Sequence, residues 1–443
     1  MKKHVYLFAY FLIFLNITTY AQASLLQAGP MVGYSEMVEV ALWVQTTKPA
    51  KVKFMYWETA APQQKRSTEE VTTTQEKAFT ALVKADQLQP GKKYTYELYI
   101  NGNSVKRPYP LQFQSQTLWQ WRSDPPEFTF AMGSCAYINE PEVDRPGKPY
   151  GSGYEIFTTI HQQKPDFMLW MGDNTYLREV DWNTRSGILH RYTHTRATKE
   201  LQPLLGSIHH YATWDDHDFG PDNADRSFWN KEITKEAFKL FWANPNYASG
   251  EKEGIYGTFQ WNDVQFFLLD NRYYKTPNHN FLGKRTLLGA DQLQWLIDAL
   301  IFSKATFKFI VIGNQVINPT KLEDSYTFYP EEKEELLKAI RQANIPGVVF
   351  LDGDRHHSVL MKMDREGTYP LYDLTVSPLT AGVAKPWPEE DLSLMVPNTM
   401  FIEHNFALLS VKGPRTDRVL TIRLMNDKGT EVWSKEIKAS ELK

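Results

Sequence analysis

Phe167-Met-Leu-Trp-Met-Gly-Asp-Asn-Thr-Tyr176 decides the reading of this chain. Its apolar run reads as a buried strand, and at Gly172 it breaks into a loop offering a carboxylate, an amide and a phenol. Three further runs end the same way. Phe128-Thr-Phe-Ala-Met-Gly-Ser-Cys135 ends on the single cysteine of a 443-residue chain. Tyr211-Ala-Thr-Trp214 runs into Asp215-Asp216-His217-Asp218, and Val348-Val-Phe-Leu351 into Asp352-Gly353-Asp354-Arg355-His356-His357. Open α/β sheets place ligands just outside their strand ends. Hard oxygen donors beside a soft thiolate point to a mixed metal site.

Around these tips the chain alternates strand, loop and helix from Glu127 onward. Helical stretches are expected at Ser152–Gln163, Arg185–Leu205, Phe228–Trp242, Asp291–Leu300 and Glu331–Gln342. Val264–Asp270 and Phe307–Ile312 read as further buried strands, and Phe406–Val411, Val419–Leu424 and Val432-Trp433 as an antiparallel end. An α/β core with terminal hairpins suggests a layered αββα sandwich over residues 118–443. Residues 24–117 read as a small all-β domain. Val38–Val44, Ala50–Trp57, Phe79–Lys84 and Tyr94–Ile100 alternate at least in part, and Asn101-Gly102 is a hairpin signal. Leu88-Gln-Pro-Gly-Lys-Lys-Tyr94-Thr-Tyr96 resembles the tyrosine corner of a fibronectin type III or Ig-like sandwich. No catalytic side chains cluster there, so a spacer or lid is the expected role.

Residues 1–23 read as a signal peptide. Lys2-Lys3-His4 is its basic start, Val5–Ile17 its apolar stretch, and Ala21-Gln22-Ala23 a small-x-small cleavage site. A periplasmic or secreted protein is therefore expected, with no integral membrane span. Secreted proteins commonly form disulfides; a lone Cys135 cannot, so its thiol needs another reason, either as a ligand or as a small buried apolar group. The net charge of -3 gives no electrostatic case for a nucleic-acid partner. The chain is expected to act as a monomer.

Gly-Asp-x-x-Tyr, an Asp-His tip and Gly-Asp-x-His, in this order, resemble the calcineurin-like metallophosphoesterases. With Gly-Ser-Cys135 and Trp214-Asp-Asp-His217 the resemblance narrows to the PhoD-like alkaline phosphatases and phosphodiesterases, over essentially the whole mature chain. That resemblance implies Fe(3+) with one or two Ca(2+) at the strand tips. It implies Asp173 as the bridging ligand, Tyr176 and Cys135 as iron ligands, and His356 as the residue completing the iron site. Asp216 and Asp354 stand where relatives carry an amide and an imidazole, which favours calcium or magnesium over zinc at the second position. Asn314 or Gln315 stands where a further histidine often occurs, and Asn314 is taken as a metal ligand.

The chemistry is independent of the name. A metal pair polarises phosphoryl oxygens and turns bound water into hydroxide near neutral pH. His217, beside the metals, is placed to protonate the leaving alkoxide. Arg272 either binds the phosphate or forms a structural ion pair. His357 is a substrate-binding candidate set against a structural role, and His404 reads as structural. Asp215 and Asp352, next to proposed ligands, either orient them or bind an extra calcium. The expected function is hydrolysis of phosphate monoesters or diesters, with a small-molecule, lipid or polymer phosphate ester as substrate. The alternative is an adhesion or binding protein with a vestigial metal site. A zinc phosphotriesterase or lactonase would need more histidines than these tips supply.

Overall fold

The computed structural model describes residues 25–248, 253–323 and 325–443. The predicted leader lies outside them. Among the described residues, no helix is long and apolar enough to cross a membrane.

Two sheets stack through aromatic side chains. Phe128–Gly133, Phe167–Met171 and His209–Thr213 run parallel in one. Val264–Leu268, Phe307–Val311 and Val348–Asp352 run parallel in the other. Because side chains alternate along a strand, Phe130 and Phe167 face inward and meet Phe266, at ring centroids 5.3 Å and 5.5 Å. The outward residues carry the helices. Trp170 packs against Phe157 of the Glu155–Gln162 helix, and Phe267 against Trp295 of the Ala290–Phe302 helix. Helix, sheet, sheet and helix thus form successive layers, with one continuous apolar core between the sheets.

Antiparallel strands complete each sheet. Asn405–Lys412 pairs beside Phe128–Gly133, followed by Val419–Asn426 and Glu431–Lys438. In the second sheet Thr368–Thr375 continues the parallel run beside Val348–Asp352, and Val359–Arg365 closes it antiparallel. The predicted helix over 185–205 is two helices, Arg185–Arg196 and Gln202–Ser207. Pro203 accounts for the restart, since proline suits a first helical turn and disrupts an interior.

The N-terminal strands form a sandwich with its own apolar cluster. Lys51–Glu58 and Lys93–Ile100 pair in one sheet, and the latter turns at Asn101-Gly102 into Asn103–Val105. Tyr94 Oη accepts from Gln89 N at 2.8 Å, tying the corner. The other sheet is not separate. Leu26–Ser35 pairs in parallel with His209–Thr213, so Leu26–Ser35, Val40–Thr46 and Thr80–Ala85 extend the sheet of Phe128–Gly133 to nine strands. Sequence reading missed Leu26–Ser35 because Gly29-Pro30 and Gly33 argue against a strand.

Candidate active site

The four tips converge at one end of the stacked sheets. Glycine permits the approach: a Cβ at Gly172 would lie 2.6 Å from Asp215 Cβ, and one at Gly353 would lie 2.1 Å from Ser134 Oγ. Cys135, Asp173, Asp354 and His356 all take left-handed backbone angles, φ 58°, 53°, 67° and 57°. Non-glycine residues seldom do so, and such strain persists where surrounding structure enforces it, typically at functional sites.

Cys135, Asp173 and His356 bring a sulfur, a carboxylate oxygen and a ring nitrogen within 4.8 Å of one another. Tyr176 joins them: its Oη lies 3.0 Å from Asp173 Oδ2 and 3.3 Å from His356 Nε2. Asp173 also belongs to a second group, with Asp216 and His217, and Asp215, Asp216 and Asp354 form a third. Asp173 therefore stands between two sets of donors, as a bridging ligand would. Burial, then the neighbouring aspartates, pushes the Asp173 carboxyl far up. Burial and Asp173 do the same to the Cys135 thiol and the Tyr176 phenol. Burial takes His356 down to about 4, leaving a neutral imidazole. Burial also acts to raise Asp216, but Arg272, His217, the Asn223 N–H and Lys275 together hold it below the usual carboxylate range. Anions packed this closely out of water are unfavourable unless cations lie among them. The donor set fits a metal cluster: thiolate, phenolate, imidazole and carboxylate in the first group, carboxylate oxygens in the third.

A scaffold of buried polar groups holds the tips in register. Asp218, fully buried and pushed up to about 8 by burial, accepts from Asn174 N at 3.1 Å and Asp215 N at 3.0 Å, tying two tips together. Asp270 accepts from Trp214 Nε1 at 2.7 Å and from the Arg272 and Tyr273 amides. Asn271 Nδ2 donates to Asp215 Oδ1 and to Asn314 Oδ1, both at 2.7 Å. Asn314, expected as a ligand, thus has its amide oxygen in a link between its own tip and that of Asp215.

Two candidate phosphate-binding residues are placed elsewhere. Arg272 is fully buried, with Nε on Asp215 at 2.5 Å and Nη2 3.6 Å from Asp216. This is the ion-pair alternative, with both carboxylate partners on the Asp215–Asp218 tip. His357 is 1 % exposed, and its Nδ1 lies 3.2 Å from the Ala384 carbonyl. The strand after His357 turns that side chain into the core. His404 Nε2 is likewise 2.9 Å from a carbonyl, that of Ala381.

A cavity of about 350 Å³ opens beside the donors, lined by Tyr137, Tyr150, Tyr176, Trp182, His217 and Asp222 among others. His217 stacks on Tyr176 at a centroid distance of 4.2 Å, and its Nε2 lies 3.7 Å from Asp222 Oδ1. Arg178 lies over the Tyr137 ring at 3.8 Å, pairs with Asp144 at 2.9 Å and donates to the Tyr176 carbonyl. Sequence reading missed Asp218, Asn271 and Arg178. Asp218 had a local signal, the acid three residues after Asp215 that closes a capping box; the other two had none.

Comparison with known proteins agrees with this geometry. The PhoD-like phosphatase family model matches residues 130–404, and a domain of unknown function, DUF7800, matches residues 23–118. Alkaline phosphatase D of Bacillus subtilis (strain 168) is 25% identical over 333 residues, 63% of this chain and 54% of the relative. The mouse acid sphingomyelinase-like phosphodiesterase 3b is 26% identical over 307 residues, 63% of this chain and 62% of that one. The chain therefore spans under two thirds of the length of both curated relatives. The solved structure of PhoD superposes with a TM-score of 0.75 at 18% identity, covering 95% of this chain and 92% of the other. A yellow lupin purple acid phosphatase gives 0.66 at 12% identity, covering 92% and 74%. With a family model matching more than half of its length, the chain belongs to the PhoD-like phosphatases.

Proposed function

We propose that this protein hydrolyses phosphate esters in a metal-dependent reaction. The observation that carries the reading is the sharing of Asp173 between the Cys135–His356 group and the Asp216–His217 group. Cys135, Tyr176, His356 and Asp173 would hold ferric iron; Asp173, Asp216, Asp354 and Asp215 would hold calcium or magnesium. Such metals, when bound, supply positive charge against the phosphoryl oxygens and an activated water. The chain's own residues supply the rest. Arg272 keeps Asp216 ionised and holds Asp215 in place. The Tyr176–His217 stack sets the imidazole at the edge of the cavity. His217 has Asp222 on its Nε2 side, an arrangement suited to carrying a proton to the leaving oxygen. Trp182, Tyr137 and Tyr150 form a largely aromatic wall for the ester's organic part.

The relatives named as an alkaline phosphatase and a phosphodiesterase support both monoesters and diesters as substrates. The basic, apolar and small-x-small order of residues 2–23 supports action outside the cytoplasm. Purified protein should hydrolyse nitrophenyl phosphate or bis(nitrophenyl) phosphate and contain iron by elemental analysis. A metal-loaded, folded protein that turns over neither ester would refute the reading.

A further inference from the structure

We propose that Tyr150 is a further catalytic residue, donating a hydrogen bond from its phenol to the phosphoryl group of the bound ester. The inference rests on the phosphoesterase reading and adds to it a residue that no ligand motif contains.

The argument begins with His356. Its Nδ1 contacts the Gly382 carbonyl. A carbonyl only accepts, so Nδ1 carries the ring proton and Nε2, the atom beside Tyr176 Oη, is the lone-pair nitrogen. Tyr150 Oη lies 3.2 Å from the same Nδ1. It can accept from that N–H, but it cannot donate to it. Among the described residues no other partner holds the phenol, so its proton is left facing the cavity that Tyr150 lines together with Tyr176 and His217.

The ring is held in place. Tyr137 meets it edge-on at 4.9 Å and Tyr176 at 6.4 Å. Gly382 gives it room, since a Cβ there would lie 2.9 Å from Tyr150 Cε2. The loop that carries it is closed next door: Asn139 Oδ1 accepts from Gly151 N, and Asn139 Nδ2 donates to Gly151 O, both at 2.9 Å. Ser152 N then donates to Thr380 O at 2.7 Å. A donor fixed before substrate arrives needs no reorganisation as charge develops, which is what makes such groups effective.

Tyr150→Phe removes only the hydroxyl of a half-exposed residue. In metal-loaded protein, kcat on nitrophenyl phosphate should fall about 10- to 100-fold, the span expected for one hydrogen bond to a charged group. KM should stay within about twofold, as for an interaction made in the transition state. Calorimetric binding of orthovanadate, a mimic of the five-coordinate phosphorus, should weaken by the same factor as kcat. Unchanged vanadate affinity and kcat would overturn the proposal. So would a drop in iron content or a moved visible band, which would make Tyr150 a positioning residue for His356. If wild type hydrolyses no ester, the phosphoesterase reading falls, while the vanadate comparison still tests Tyr150.

Discussion

The N-terminal sandwich and the catalytic sandwich share one sheet, yet they bury opposite kinds of polar group. In residues 25–117 the buried polar side chains are all neutral, among them Gln45, Thr46, Thr68, Thr73 and Ser115. They pair locally: Thr46 Oγ1 and Thr73 Oγ1 are 2.7 Å apart, and Thr73 Oγ1 accepts from Ala50 N at 3.0 Å. At the catalytic tips the buried groups are Asp173, Asp215, Asp216, Asp352 and Arg272. Hydroxyl pairs satisfy themselves and stabilise a fold. A crowd of buried carboxylates stabilises it only when something positive is added. The contrast separates scaffold from chemistry without reference to any relative.

Metal removal tests the contrast most severely. Exhaustive chelation should abolish turnover, and calcium should restore it better than zinc, because the third group offers carboxylate oxygens alone. Cys135→Ser should shift or bleach the visible band of the iron-loaded protein. Full activity after chelation with no retained metal would leave the buried acids unexplained.

His217 gives the next largest effect. Replacement by alanine should cost about 10²–10⁴-fold on alkyl phosphates, whose leaving alkoxides need a proton, and far less on nitrophenyl phosphates. Equal losses on both, at unchanged metal content, would make His217 an electrostatic residue instead.

Arg272→Met probes the scaffold beneath the metals. Removing one partner of a buried ion pair costs about 3–5 kcal/mol, because the carboxylates are left uncompensated. The expected signature is a lower unfolding midpoint and weaker metal retention. A raised KM at full stability would instead restore the phosphate-binding role.

Acidification loads the seam between the two regions. His209 Nδ1 donates to Gly33 O at 2.8 Å, and its Nε2 accepts from Gln114 N at 3.1 Å. His210 Nδ1 accepts from Trp170 Nε1 at 2.9 Å. Both rings are therefore neutral, and burial takes their pKa down to about 4 and about 3. The unfolded chain binds these protons first, near pH 6.5, so this stability is full above that pH. It is lost as pH falls toward the folded values, on the order of 3 kcal/mol for His209 and 5 kcal/mol for His210. Denaturant midpoints should decline below pH 6.5, and His209→Gln should flatten part of that slope. A midpoint unchanged between pH 7 and pH 4.5 would contradict the assignment.

The strand tips were legible because burial and punctuation are local. Val348–Leu351 followed by Asp-Gly-Asp announces both strand and site. The donor types that meet at the tips were legible for the same reason. What was hidden depends on distance in sequence. Arg272 reaches Asp215 across 57 positions, and Tyr150 reaches His356 across 206. No spacing rule reports such contacts, so Arg272 stayed ambiguous between phosphate and ion pair until its burial was seen. The shared sheet was hidden by composition: Gly29-Pro30 and Gly33 weaken the strand signal of the segment that joins the two regions.

The smallest effect bears on that junction. Tyr96, on the N-terminal sandwich, donates its phenol proton to the Gly206 carbonyl at 2.8 Å, in the helix that packs beneath Leu26–Ser35. Both groups are buried. Tyr96→Phe keeps the ring, its packing on Phe54 and the apolar cluster, and removes one hydrogen bond across the seam. The expected loss is about 1 kcal/mol, with kcat unchanged because no catalytic group is touched. The shape of the transition carries more than its size. If the shared sheet makes the regions one cooperative unit, circular dichroism and tryptophan fluorescence should shift together in a single transition. Trp43 lies on the N-terminal side and Trp170 on the catalytic side, so fluorescence samples both. Two separated transitions in the variant would show that the shared sheet joins two independently stable bodies.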